Sequence, residues 1–377
     1  MGGVIRLRID LAYDGGGFYG WAKQPTLRTV QGEIEGALAK ILRAPADGPQ
    51  PRLVVAGRTD TGVHAAHQVC HLDVEESALD ACVGYMDVPA ETALQRRIDR
   101  MLPDDIVIHR VSRAPEGFDA RFSALERTYV YRVCDADDPA TAPMDPRLRG
   151  FVLRVDGGPL DVDAMNEALA ATIGLHDFGS FATPNPGGTT IREVKYARWD
   201  RVPVRPLVPS AWNQNQNRER TTGEDRSDGI RLSAPGLVVP TSEPVGQHAE
   251  GSMDASGLTA SVSAEPVGQP ASRLVAGADV APSPAYVTPT AESGLLALTI
   301  VADAFARNMV RSLVGASIKV GLGKRSVDWF RGKVAVPKRE GETGPIAPQG
   351  LTLEHVAYPP DDQLAARAEA IRAKRTL

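Results

Sequence analysis

LVVAGRTDTGVHAAHQVCHLDV, residues 53–74, is the stretch on which the fold reading of this chain turns. A short apolar run at 53–56 leads into Gly57, small polar residues carry the chain to Gly62, and apolar alternation resumes at 69–74. That pattern predicts two strands joined by a tight loop. The loop holds one carboxylate, Asp60, with Arg58 two positions earlier. An acid on a short loop after an apolar strand is held rigidly while its side chain faces a cleft. A guanidinium beside it favours the charged form, which suits a nucleophile better than a general acid. The same spacing also describes an Asx-turn aspartate that caps its own loop, and spacing alone does not separate the two.

Working outward, residues 5–13 (IRLRIDLAY) alternate with period two and predict a half-buried strand that ends in a Gly-rich turn at 14–17. Ile34, Leu38, Ile41 and Leu42 have helical spacing behind Thr29, which is placed as an N-cap with Glu33 close behind. Residues 90–101 predict a helix stopped by Pro103, and 106–111 a strand. Further on come strands at 128–133, 191–199 and 295–302, with helices at 162–173 and 304–320. Strands and helices interleaved with hairpin-like alternation predict an α+β chain: two α/β-mixed domains with mainly antiparallel sheets. The boundary is expected near residue 112, giving 1–111, which carries the Asp60 loop, and 112–377. The second part is interrupted at 201–294 by a Pro-, Ser-, Gly- and Gln-rich stretch holding the duplicated EPVGQ of 243–247 and 265–269. Such a composition buries too little apolar surface to offset chain entropy and predicts a disordered insertion between two strands.

Composition narrows the function classes. With 377 residues and 42 % hydrophobic content the chain can bury a large core. Its net charge of -5 argues against an indiscriminate nucleic-acid coat, so any RNA partner must meet a local basic cleft. Cys70, Cys82 and Cys134 are odd in number and irregularly spaced. They suit neither a disulfide framework nor a paired metal knuckle and point to a reducing cytoplasm. The N-terminus lacks a basic region followed by an apolar signal core. No run of about eighteen apolar residues is present to cross a membrane.

Three other clusters stand out. His64, His67, Cys70 and His71 invite a metal reading, but Gly62 and the strand pattern work against a helical face that would align them, and ordinary loop and edge-strand histidines are the simpler account. Tyr129 and Tyr131 share one face of a strand, with Arg121, Arg127 and Arg132 nearby. Rings interleaved with guanidinium groups can stack bases and hold phosphates, although tyrosines on strands are also common packing residues. Arg307 and Arg311, four apart, would share a face of the 304–320 helix.

Taken in order, the blocks YDGGGFYGW (13–21), VQG (30–32), AGRTDTGVHA (56–65), FDARFS (118–123), YVY (129–131), HDFGSF (176–181), NMVRSLVG (308–315) and APQGL (347–351) resemble the TruA-type tRNA pseudouridine synthases. They span nearly the whole chain outside 201–294. The resemblance implies a pseudouridine synthase fold with a central RNA-binding cleft. It implies isomerisation of uridine to pseudouridine at positions 38, 39 and 40 of the tRNA anticodon stem-loop, and a homodimer that embraces tRNA. It matches Asp60 to the catalytic aspartate, Tyr129 to an active-site tyrosine, Arg58 and Arg311 to active-site arginines, and Leu351 to the uracil pocket. The reaction needs no metal or organic cofactor, since it breaks one bond to C1′, makes another and changes no oxidation state. Two departures from the family pattern are the long insertion and Ala306, where a larger apolar residue is usual. An N-glycosylase releasing free base and a noncatalytic tRNA-binding module are the rival readings.

Overall fold

The computed structural model describes residues 3–135, 145–184, 188–203, 292, 294–339 and 341–372. The expected 201–294 insertion therefore lies almost wholly outside the described residues. Residues 1–205 and 289–377 form one compact unit.

The described strands build a ten-stranded sheet in the order β4-β1-β3-β10-β5-β9-β8-β7, with β2 paired to β3 and β6 to β5. They are β1 (Val4–Tyr13), β2 (Leu53–Val55), β3 (His64–Glu75), β4 (Ile106–Arg113), β5 (Glu126–Asp135), β6 (Leu153–Val155), β7 (Gly174–Asp177), β8 (Ile191–Arg201), β9 (Leu296–Ala302) and β10 (Leu351–Ala357). Parallel pairing occurs at β3 with β10 and at β5 with β6; the other pairings are antiparallel. The α+β, mainly antiparallel reading of the sequence holds. β4 runs on to Arg113, past residue 111, and the sheet continues across both halves of the chain because β10 pairs with β3 on one side and β5 on the other.

The period-two reading of β1 explains its packing. Leu7, Ile9 and Leu11 are fully buried, in one core with Ile34 and Leu38 of α1 (Val30–Ile41), while Arg8 and Asp10 on the opposite face bond to each other. Burying each such aliphatic side chain stabilises the fold by about 1.5–3 kcal/mol. Thr29 caps α1 as expected, accepting from the Gly32 N–H. The remaining helices are α2 (Glu76–Ala81), α3 (Ala90–Asp99), α4 (Val162–Ala170), α5 (Met309–Gly321), α6 (Val327–Ala335) and α7 (Leu364–Arg372).

α5 is shorter than the predicted 304–320 helix. Asn308 has φ of 63°, in the left-handed region, and so cannot be an ordinary helical residue. The Thr183 N–H donates to the Arg307 carbonyl, and the Asn308 amide donates to Thr183 Oγ1, holding this turn ahead of the helix. Arg307 is therefore not one helical turn from Arg311; it lies exposed before the helix begins. Every residue of α5 except Arg311 and Lys319 is buried, as expected of a helix apolar on most sides. Arg201 of β8 lies opposite Leu296 of β9, so the stretch between them joins neighbouring antiparallel strands, as expected.

Candidate active site

The loop between β2 and β3 is clamped from several directions. On its way in, Arg127 donates to the Ala56 carbonyl at 2.7 Å. Past it, the Trp21 N–H donates to the Thr59 carbonyl at 3.1 Å and the Gly62 N–H to the Phe18 carbonyl at 3.2 Å. The block 13–21 thus lies backbone to backbone against the loop. Gly20, with φ of 89°, permits the approach, because a Cβ there would stand 2.9 Å from the Thr59 carbonyl oxygen. Gly62, with φ of 76°, turns the chain into β3, and a Cβ there would meet the Pro348 ring at 2.6 Å. Two motifs distant in sequence are complementary surfaces of one loop.

Asp60 emerges from this clamp differently from a capping aspartate. Among the described residues no hydrogen bond reaches its carboxylate, whereas Asp14 accepts from the Gly16 N–H and Asp161 from the Ala164 N–H. The Asx-turn alternative is excluded. The Asp60 side chain is 33 % exposed, and its nearest ionic partner is Arg311, Nη1 to Oδ2 at 3.8 Å. That distance is too long for a hydrogen bond, so both groups keep bonding capacity for a third party. Arg311 is aimed by a bond from its Nε to the Ile346 carbonyl at 2.6 Å, and burial pulls its pKa down while the Asp60 charge opposes that.

Tyr129 is buried on β5, edge-on to Phe305 with ring centres 5.1 Å apart. Burial raises its phenol pKa, and its neighbours Tyr13 and the Asp60 carboxylate raise it further. Leu351 opens β10 directly opposite Tyr131, and Leu353 lies opposite Tyr129, so these four residues share a face of the β5–β10 pair. The Tyr131 hydroxyl donates to the Ala347 carbonyl, tying the APQGL block to β5.

Arg58 is exposed and forms no ion pair among the described residues; the cation against Asp60 is Arg311, brought by the fold from 251 positions away rather than from two. The expected RNA-facing arginines of β5 are also committed elsewhere. Arg127 is buried and bonds the carbonyls of Ala56, Arg121 and Asp303. Arg132 pairs with Glu292 and Glu354. The histidines of β3 serve the scaffold: His64 Nε2 bonds the Gly150 carbonyl, His71 Nδ1 accepts from the Ala120 N–H, and His67 stacks on His355. Tyr13, Thr59 and Gln68 form a buried polar chain beside Asp60 that sequence reasoning missed. Tyr13 and Thr59 did fall inside recognised blocks, but neither block shows that they touch.

The site thus places a loop-borne carboxylate 3.8 Å from a helix-borne arginine on a mainly antiparallel α+β sheet. A family model described as tRNA pseudouridine synthase matches residues 168–359. Full-length relatives extend the likeness across the Asp60 loop. A tRNA pseudouridine synthase A of Bifidobacterium longum is 57 % identical over 376 residues, covering 99 % of this chain and all of that protein. That of Bifidobacterium animalis subsp. lactis is 54 % identical over 374 residues, with coverage of 99 % and 100 %. That of Streptomyces griseus is 36 % identical over 375 residues, with coverage of 100 % and 95 %. The chain belongs to the tRNA pseudouridine synthase family and is an isomerase of that family.

Proposed function

We propose that this chain converts uridine to pseudouridine at positions 38, 39 and 40 of the tRNA anticodon stem-loop, with Asp60 as the nucleophilic carboxylate. The observation that carries this reading is the state of Asp60: positioned by a clamped loop, accessible, without a hydrogen-bonded partner among the described residues, and 3.8 Å from Arg311. Such a carboxylate is available to the sugar of an extruded nucleotide. The N1–C1′ bond breaks, the uracil turns in place, and C5 joins C1′; the proton lost from C5 is balanced by the one gained at N1. Tyr129 supplies a surface for the base, Leu351 packs on the uracil, and Arg311 offers positive charge beside the reacting carboxylate. Arg58, exposed beside the loop, holds phosphate. A homodimer completes the RNA cleft, and the reaction takes place in the cytoplasm, where tRNA is.

The test is to map pseudouridine in tRNA incubated with wild type and with Asp60→Asn while assaying for free uracil. Wild type is expected to modify positions 38 to 40 without base release, and Asp60→Asn to bind tRNA and leave it unmodified. Release of free uracil would assign an N-glycosylase. Undiminished product from Asp60→Asn would remove Asp60 from the chemistry.

A further inference from the structure

We infer that Tyr13 and Gln68 are positioning residues for the Asp60 loop, acting through Thr59 and Gly57. Gln68 is fully buried, and its Nε2 donates to the Gly57 carbonyl at 2.8 Å and to the Tyr13 hydroxyl at 3.3 Å. Its Oε1 accepts from the Val69 N–H at 3.2 Å. The carbonyl at Gly57 fixes which end of the amide carries the protons, because a carbonyl can only accept. The Tyr13 hydroxyl, accepting from Gln68, also shares a hydrogen bond with the Thr59 hydroxyl at 2.8 Å. Burial pushes the Tyr13 phenol up to about 12, so both hydroxyls keep their protons across the physiological pH range.

The chain of bonds therefore grips the segment just before the carboxylate at two points, one on the backbone of Gly57 and one on the side chain of Thr59. Tyr13 ends β1, and Gln68 lies on β3, so both grips are mounted on interior strands of the sheet. Backbone bonds from Trp21 and Gly62 hold the other side of the same loop. With no hydrogen bond to the Asp60 carboxylate among the described residues, the direction in which that group points depends on how firmly its loop is held. Neither Tyr13 nor Gln68 need touch substrate for this, and both sit beneath the loop in the core.

This inference rests on Asp60 being the reacting carboxylate. It is tested by single-turnover pseudouridine formation with Tyr13→Phe, Gln68→Leu, Thr59→Val and Thr59→Ser, each checked for folding by circular dichroism. A loop displaced by a fraction of an ångström to an ångström is expected to lower the rate constant by up to about 100-fold while tRNA affinity stays within about twofold. Thr59→Ser, which keeps the hydroxyl, should recover most of the rate lost in Thr59→Val. Tyr13→Phe and Thr59→Val should combine with less than the product of their separate effects, since they break one bond. A purely structural role would lower the melting temperature and leave the rate of the folded enzyme alone. Wild-type rates in Tyr13→Phe and in Thr59→Val would overturn the inference even if Asp60→Asn is inactive. An active Asp60→Asn would instead overturn the reading of Asp60.

Discussion

Asp60 and Asp119 both stand in short loops two residues from an arginine, in RTD at 58–60 and DAR at 119–121, and they have opposite fates. Asp119 Oδ1 accepts from the Arg121 and Phe122 N–H groups at 2.8 and 2.9 Å, so its carboxylate is spent on its own turn. Other groups of 118–123 are bonded in the same way. Arg6 bonds the Phe118 carbonyl, Tyr358 the Ala120 carbonyl, His71 takes the Ala120 N–H, and Arg127 bonds the Arg121 carbonyl. Around Asp60 the backbone is just as firmly held, but the carboxylate and the facing Arg311 guanidinium keep open bonding positions. The difference is one of satisfaction. Buried polar groups that meet all their partners build structure, whereas positioned groups left with capacity at an accessible surface can act on something else.

The largest effect expected from breaking this contrast is at Arg127. Replacing it with Met strips the carbonyls of Ala56, Arg121 and Asp303 of a charged donor in a buried place, with an expected stability loss of about 3–5 kcal/mol. Urea unfolding would show it. Because the lost Ala56 bond is one of several that clamp the Asp60 loop, the folded variant should also turn over more slowly, though less so than Arg311→Ala, and an equally stable variant would mean that the knot contributes little.

Arg311→Ala should do the reverse. A loss of turnover of about 10²–10³-fold is expected from removing a preorganised charge, with unfolding free energy changed far less than in Arg127→Met. Rate constants and urea midpoints measured on the same preparations check both halves. Turnover near wild type would make the Arg311 to Asp60 pair a passive surface contact.

The smallest effect concerns pH and the 118–123 knot. His71 Nδ1 accepts the Ala120 N–H, and burial first, then the Arg6 charge, lowers its pKa below 6.5 while Asp119 and Asp73 oppose the shift. The unfolded chain therefore takes up this proton before the folded one does. Stability is at its full value above pH 6.5 and declines as pH falls from there through the lower folded value, then levels off. His64 is lowered by burial too, so the His71 share is the difference between wild type and His71→Asn in urea midpoints taken from pH 7.5 to 5. A His71→Asn profile that declines as steeply as wild type would remove His71 from the account.

Much was legible from the chain alone because the signals are local. Alternation set β1 and β5, Thr29 marked the start of α1, and the glycines around Asp60 announced a tight loop. Such patterns arise from periodicities of two and 3.6 residues and from φ restrictions that act within a few positions. Local reasoning also erred where a local rule was overridden. The helix expected from 304 begins at Met309, because Asn308 takes a left-handed conformation braced by Thr183 from a distant segment. Sequence proximity points to Arg58 as the cation beside Asp60, whereas the one the fold brings to 3.8 Å is Arg311.

What the sequence by itself determined is the α+β class, the loop that carries Asp60 and, through the order of its blocks, the family. Only the tertiary structure decided which polar groups are satisfied and which are left open. Arg127 and Arg311 carry the same guanidinium, but one meets carbonyls from three separate segments and the other meets one carbonyl and a carboxylate at 3.8 Å. Hydrogen-bond saturation depends on atoms brought within about 3 Å from anywhere in the chain, and no spacing rule along the sequence encodes that.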